Sequence, residues 1–186
     1  MLSRRSVPLF PIAVVCGCLV FSSALPLAGA SGPFTVEGAP GSAIKGSAPV
    51  TVTLHLSGDA RNILQKMPDR PSESPTVRLN LNGFKAPSGA SVRVFLNFPQ
   101  AGASSGTDDH HYVGAMSSFD TPAAGSPGDD IILDAAPALR KLRGKNERVL
   151  PGDNVAVTLV LVAGSAPDDA SITVDKVSLT VEPKAK

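Results

Sequence analysis

The chain has 186 residues and a formal net charge of +1, and aromatic residues make up only 4% of it, with no Trp. Such a balanced charge gives no electrostatic reason to bind nucleic acid or an anionic membrane surface. The length fits one domain with its own core, and the scarcity of aromatic side chains means that this core is chiefly aliphatic.

The first thirty residues carry the features of an export signal. Met1–Arg5 is short and basic, Val7–Phe21 is mostly apolar, and Ala28-Gly29-Ala30 is a small-residue cleavage pattern. The apolar run is shorter than a membrane span and is interrupted by proline, so we predict cleavage after Ala30 and no permanent membrane anchor. We therefore expect an exported protein, periplasmic or extracellular.

The export route stays open, because two further patterns occur in this segment. Ser3–Val7 resembles a twin-arginine motif, which would mean transport of a folded protein, and Val15–Cys18 has a distant likeness to a lipoprotein box. Both cysteines of the chain lie here, so a cleaved protein would have neither a disulfide nor a thiol ligand. Cleavage would also remove two of the 17 basic residues, which leaves a formal charge of −1.

The rest of the chain divides into a lead-in, residues 31–47, and a domain, residues 48–186. The lead-in is rich in Gly, Ala, Ser and Pro and is predicted to be flexible, although Phe34–Glu37 could add a short edge strand. Helical spacing predicts one short helix capped by Asp59 and a second capped by Asp134.

Alternating apolar and polar residues predict strands with one buried face in most of the domain. The run at Val155–Val162 is apolar except for Thr158, which predicts a central strand covered on both faces. In the last segment the apolar parity changes, which predicts a bulge or turn at Asp175-Lys176. The sequence therefore predicts an all-β fold, an antiparallel β-sandwich of about seven strands with one or two short helices. The other predicted strands are Val50–Leu56, Thr76–Asn82, Ser91–Phe98, His111–Phe119 and Ile172–Val181.

Several of these segments occur in a characteristic order: VRVFLNFP, a small polar loop, HHYVGAMSSFD, a short helix ILDAAPALRKL, then PGDNVAVTLVLV and ITVDKVSLTVE. With VTVTLHL and TVRLNLNGF upstream, the stretch from about Ala48 to Val181 resembles the C-terminal domain of the tyrosinase and polyphenol oxidase family. That family binds two copper ions through six histidines in a separate helical domain, whereas this chain has three histidines in all.

The resemblance implies a non-catalytic, secreted domain. In the family this domain packs over the dinuclear copper centre and shields it, so a free-standing copy is expected to act as a cap, shield or maturation partner of a separately encoded copper oxidase. One alternative function is an adhesion or matrix domain, in which the sandwich serves only as a scaffold for loops.

A second alternative is a periplasmic metal-binding module. Asp108-Asp109-His110-His111 resembles a cluster of metal ligands, and His55, on an outward strand face, could supply a third nitrogen for a copper ion. Neighbouring strand residues point to opposite faces, so His110 and His111 can share one metal ion only if the loop bends between them. The predicted metal ligands are therefore His110, His111 and His55, on that condition.

A hydrolase is the third alternative, because Gly102–Gly106 (GASSG) fits the G-x-S-x-G nucleophile pattern, with Ser104 at its centre. That pattern works only on a sharp turn between a strand and a helix. Here it precedes polar residues and a strand, so a Gly/Ser-rich loop is the preferred interpretation, and we expect no enzymatic activity.

Overall fold

The structure is a computed structural model, and it describes residues 33–40, 43–45, 48–86, 88–117, 128–145, 150, 152–163 and 171–184. The predicted export signal, residues 1–30, lies outside these ranges. None of the helices in the described ranges is long and apolar enough to cross a membrane.

The described residues form two four-stranded sheets, and every strand pairing in them is antiparallel. The first sheet has the strand order β1-β10-β4-β7 and the second the order β3-β8-β5-β6, while β2 and β9 form a small separate ladder. The predicted antiparallel sandwich is therefore confirmed, with eight strands in its main sheets. The strands are β1 (Phe34–Gly38), β2 (Ile44–Lys45), β3 (Val50–His55), β4 (Thr76–Phe84), β5 (Ala90–Leu96), β6 (Tyr112–Ser117), β7 (Asp129–Asp134), β8 (Asn154–Ala163), β9 (Ser171–Ile172) and β10 (Lys176–Glu182).

Two of the strands lie within residues 31–47, the lead-in for which the sequence suggested flexibility and one edge strand. The edge strand that the sequence suggested near Phe34 is β1, which pairs with β10 from Phe34 to Gly38. Lys45 and Ile44 form β2, and the Ile44 side chain is fully buried. The lead-in thus supplies an edge strand, β1, to the first sheet.

The core lies between the two sheets and is aliphatic, as the composition indicates. Period-two alternation directs one side of each strand inward, and the inward side chains of the central strands are fully buried. The parity change near Asp175 falls in the gap between β9 and β10, as predicted. The fully buried residues of the central strands include Leu79, Leu81, Val92, Val94, Leu96, Val155, Val157, Leu159, Val177, Leu179 and Val181.

The part of the chain that the structure describes has two short α-helices, α1 (Gly58–Gln65) and α2 (Ala136–Gly144). Ser57, rather than Asp59, is the N-cap of α1, and its hydroxyl accepts a hydrogen bond from the Ala60 amide. Asp134 accepts one from the Ala136 amide at 3.0 Å, so it serves the start of α2 although the N-cap is Ala135.

Because the central strands are buried, shortening one of their inward side chains should destabilise the protein strongly. Leu96→Ala and Leu159→Ala should each lower the free energy of unfolding by about 2–5 kcal/mol, because both leucines are fully buried. His55→Ala, on the exposed face of β3, is the control and should change it by less than about 0.5 kcal/mol. Thermal and urea unfolding would measure all three, and a Leu96→Ala protein as stable as the parent would contradict the inward orientation of β5.

Candidate metal centre

The second sheet is also covered on its outer face, where a loop lies over β5 and β8. Phe95 and Val160 have no exposed surface, although their neighbours Val94, Leu96 and Leu159 point into the main core. The cover is the loop between β5 and β6, residues 97–111. Apolar side chains of the sheet and of this loop form a second apolar cluster, here called the outer cluster. Its members are Phe95, Ala101, Val160, Phe98 and Tyr112.

A bulge in β6 brings the aromatic side chains of the outer cluster together. Val94 pairs with Gly114, but Phe95 pairs with Tyr112, so one extra residue, Val113, lies on the β6 side. The shift places Tyr112 on the same outer face as Phe95, with edge-to-face ring centroids 5.7 Å apart. Phe98 contacts Phe95 in the same edge-to-face geometry, with ring centroids 6.0 Å apart. Aromatic pairs in this arrangement add stability beyond their buried area.

Backbone hydrogen bonds hold the start of the loop against the sheet. Asn97 has a φ of 51°, in the left-handed region that asparagine tolerates better than most residues. Its amide donates to the Ala156 carbonyl at 2.7 Å, and its side-chain oxygen accepts from the Ala156 amide at 3.0 Å. Farther along, Arg93 donates to the carbonyl of Ser105 at 2.8 Å and so fixes the middle of the loop.

The loop ends in a turn organised by Asp109. The Asp109 carboxylate accepts a hydrogen bond from the His111 amide at 2.8 Å, and its carbonyl accepts one from the Tyr112 amide at 3.1 Å. Asp and Asn favour such turns because their side chains bond the backbone two residues on. His110 therefore lies in a bend rather than in an extended strand, which is the condition the sequence set for the two histidines to face one another.

The histidine rings are packed against each other and against the outer cluster. His111 stacks on Phe98 with ring centroids 4.8 Å apart and an interplanar angle of 16°, and the His110 ring lies 4.3 Å from the His111 ring. The Nδ1 atom of His111 lies 2.7 Å from the Leu96 carbonyl oxygen. A carbonyl can only accept, so Nδ1 carries the proton and Nε2 carries the lone pair of the neutral ring.

Within the described ranges, one group of side chains is suited to hold a metal ion: Asp109, His110 and His111. Each offers one ligand atom, and these atoms lie within 4.8 Å of one another. The side chains of Asp109 and His110 are 25% and 31% exposed, and Oδ1 of Asp109 lies 3.8 Å from Nδ1 of His110. The cluster is thus accessible from solvent while its base is anchored on the sheet.

His55 does not belong to this cluster, contrary to the predicted ligand set. It lies on edge strand β3 and pairs with Asn154, whereas the cluster adjoins β6 at the opposite edge of the same sheet. Strands are about 4.8 Å apart, so three strand spacings separate the two places by about 14 Å. Met116, the nearest sulfur ligand in sequence, is buried in the main core and pairs with Val92. Asp109 takes the place that the sequence assigned to His55.

Ser104 is not placed as a catalytic nucleophile. The Ser105 hydroxyl accepts a hydrogen bond from the Gly102 amide at 3.0 Å, and the Ser105 amide donates one to the Gly102 carbonyl at 2.9 Å. GASSG is therefore a hydrogen-bonded turn within the loop. Loop residues flank it on both sides, and Ser104 is exposed. The strand-turn-helix setting that a nucleophile elbow requires is therefore replaced by the loop that covers the sheet.

The fold and the cluster together define a β-sandwich domain with a histidine-bearing loop on one outer face. No protein-family model matches the chain. No curated protein matches it either. Among solved structures, the chain is similar to recombinantly expressed latent aurone synthase, a polyphenol oxidase, with 15% identity and a TM-score of 0.40 over 82% of this chain.

A latent apple tyrosinase is similar to a comparable extent, with 14% identity and a TM-score of 0.39 over 80% of this chain. Latent aurone synthase from its natural source has 12% identity and a TM-score of 0.37. In each case the chain spans about a quarter of the length of the oxidase: 25% of the two aurone synthase chains and 26% of the tyrosinase.

The outer cluster should contribute to stability as a core residue does. Phe95→Ala should lower the free energy of unfolding by about 3–5 kcal/mol, because it removes a fully buried ring and the support of Phe98 and Tyr112. It should also make the loop at 101–109 sensitive to limited proteolysis under native conditions. Ile132→Ala is the control, since Ile132 is 64% exposed. Equal stability of the two variants would show that the loop does not cover the sheet.

Proposed function

We propose that this chain is a non-catalytic exported domain that caps, shields or helps to mature a separately encoded copper oxidase. The observation that supports this proposal is the order of segments resembling the tyrosinase C-terminal domain. Those segments form parts of one sandwich: β3, β4, β5, the covering loop, β6, the end of β7 with α2, β8 and β10.

The physical requirements of a cap agree with the fold. A cap must exclude water from a partner's metal centre. If its loops had to become ordered on binding, the lost conformational entropy would reduce the affinity for the partner, so a preformed surface is favoured. The connection between β5 and β6 is long, and long connections on a protein surface are ordinarily mobile. Here it is held by Asn97, Arg93 and the outer cluster. The domain therefore offers a partner a preformed surface.

The copper in this proposal belongs to the partner. The family's dinuclear centre uses six histidines, and this chain has three, of which His55 lies far from the other two. The chain would thus act in trans on an oxidase that supplies the complete copper site. A metal-binding module is the second candidate, favoured by the grouping of Asp109, His110 and His111.

The test uses an oxidase of the dinuclear copper class encoded close to this chain. We expect the two proteins to co-purify as a stoichiometric complex, and we expect phenol oxidation to fall as the complex forms. Phenol oxidation by the isolated oxidase, followed during titration with this chain, measures the effect. Absence of a complex under both oxidising and reducing conditions, with an unchanged rate, would contradict the proposal.

A double variant, His110→Ala with His111→Ala, separates capping from removal of copper. If the chain inhibits by covering the oxidase, the variant should form the complex and inhibit like the parent. If the histidines inhibit by withdrawing copper, the variant should lose its effect, and added copper should restore the activity inhibited by the parent. The second result would count against the capping proposal.

A further inference from the structure

We propose that Asp109, His110 and His111 form a binding site for one divalent transition-metal ion, with Cu²⁺ preferred over Zn²⁺. The site would use two imidazole nitrogens and one carboxylate oxygen, with water completing the coordination. It is independent of the capping proposal, because it is a property of this chain alone. It also differs from the ligand set that the sequence predicted, since Asp109 replaces His55.

The hydrogen bond to Leu96 prepares His111 to be a ligand. Metal-bound histidines usually donate their second ring N–H to a carbonyl or carboxylate, which fixes the tautomer and the ring orientation. In this chain the Leu96 carbonyl lies 2.7 Å from Nδ1, so the lone pair is on Nε2 before any ion arrives. The stack on Phe98 fixes the plane of the same ring. Both partners belong to the rigid sheet and its outer cluster.

Asp109 is prepared in a similar way. Its Oδ1 atom accepts the His111 amide at 2.8 Å, which holds the carboxylate beside the imidazoles while its second oxygen can still bind an ion. The negative charge of the carboxylate favours a cation at this place and offsets part of the cost of bringing it out of water.

Only a small rearrangement would bring the three ligand atoms to one ion. Ligand atoms at about 2.0–2.2 Å from one zinc or copper ion lie about 3–3.5 Å from each other. One ligand atom of each side chain lies within 4.8 Å of the others, so closure requires a movement of roughly 1.5 Å at most. His110 can supply this movement by side-chain rotation, because its side chain is 31% exposed and lies at the loop surface.

The donor set selects the class of metal. Imidazole suits copper, zinc, nickel and iron, whereas Ca²⁺ and Mg²⁺ require sites made of oxygen ligands. For a site of nitrogen and oxygen donors without imposed geometry, affinity rises along the first row to Cu²⁺ and falls at Zn²⁺. We therefore expect Cu²⁺ to bind more tightly than Zn²⁺ and Ca²⁺ not to compete.

The experiment is a calorimetric titration with Cu²⁺, with the full chain carrying Cys16→Ser and Cys18→Ser so that thiols do not compete. We expect one site per chain. His110→Ala and Asp109→Asn should each weaken Cu²⁺ binding by at least about tenfold, the lower bound for loss of even an outer partner of a metal site. Asp109→Asn keeps an oxygen that can accept the His111 amide, so it removes the charge while preserving the turn.

His55→Ala is the matched control and should leave the Cu²⁺ affinity unchanged. Electron paramagnetic resonance of the Cu²⁺ complex gives a second readout, with coupling to two imidazole nitrogens in the parent and to one in His110→Ala. Thermal unfolding without metal verifies that the variants are folded. Absence of a stoichiometric site in the parent would overturn the proposal, and so would equal binding by His110→Ala or an equal loss in His55→Ala.

Discussion

The central constraint in this fold is that β5 and β8 must be covered on both of their faces. Their inner side chains pack against the opposite sheet, and their outer side chains Phe95, Val160 and Thr158 are also fully buried. An antiparallel sheet commonly leaves one face to solvent, so the second cover has to come from elsewhere in the chain. It comes from the loop between β5 and β6, which lies back over the strand that precedes it.

This cover explains why a long polar connection is ordered. Phe98, Ala101 and Tyr112 supply the apolar contacts, and Asn97 and Arg93 supply the hydrogen bonds. The same contacts determine where the loop ends, because the β6 bulge that aligns Tyr112 with Phe95 also brings His111 next to Leu96. The histidine cluster is therefore a consequence of how the outer face is closed. A rigid loop surface serves both proposals, since a cap and a metal site each require side chains held before the partner arrives.

The period-two pattern was sufficient to predict the sandwich, the inward residues of each central strand and the position of the break before β10. It also indicated, from the apolar run in β8, that a central strand is covered on both faces. The pattern did not show what covers it, because Phe95 has the parity of an exposed position and its burial depends on a loop of small polar residues. Composition likewise failed for the lead-in, where Ile44 is buried by tertiary contacts despite a Gly- and Pro-rich setting.

The candidate site was predictable only in part for a related reason. Adjacent histidines on a loop suggested a metal site, but their orientation depends on the Asp109 turn, and the distance to His55 depends on strand order. Neither the orientation of the histidines nor their distance to His55 can be predicted from the spacing of residues along the chain. Asp109 was part of the candidate cluster in the sequence, and its position two residues before His111, where an acidic side chain commonly bonds the backbone, was the signal that it lies beside the ring.

The most direct test of this account is the protonation site of the His111 imidazole, measured by nitrogen-15 magnetic resonance on the neutral ring. If the outer-face cover holds His111 against the sheet, the proton lies on Nδ1, bound to the Leu96 carbonyl, and exchanges slowly with water. An Nε2 proton, or rapid averaging between the two nitrogens, would show that the loop does not fix the ring, and it would contradict both the cover and the site built on it.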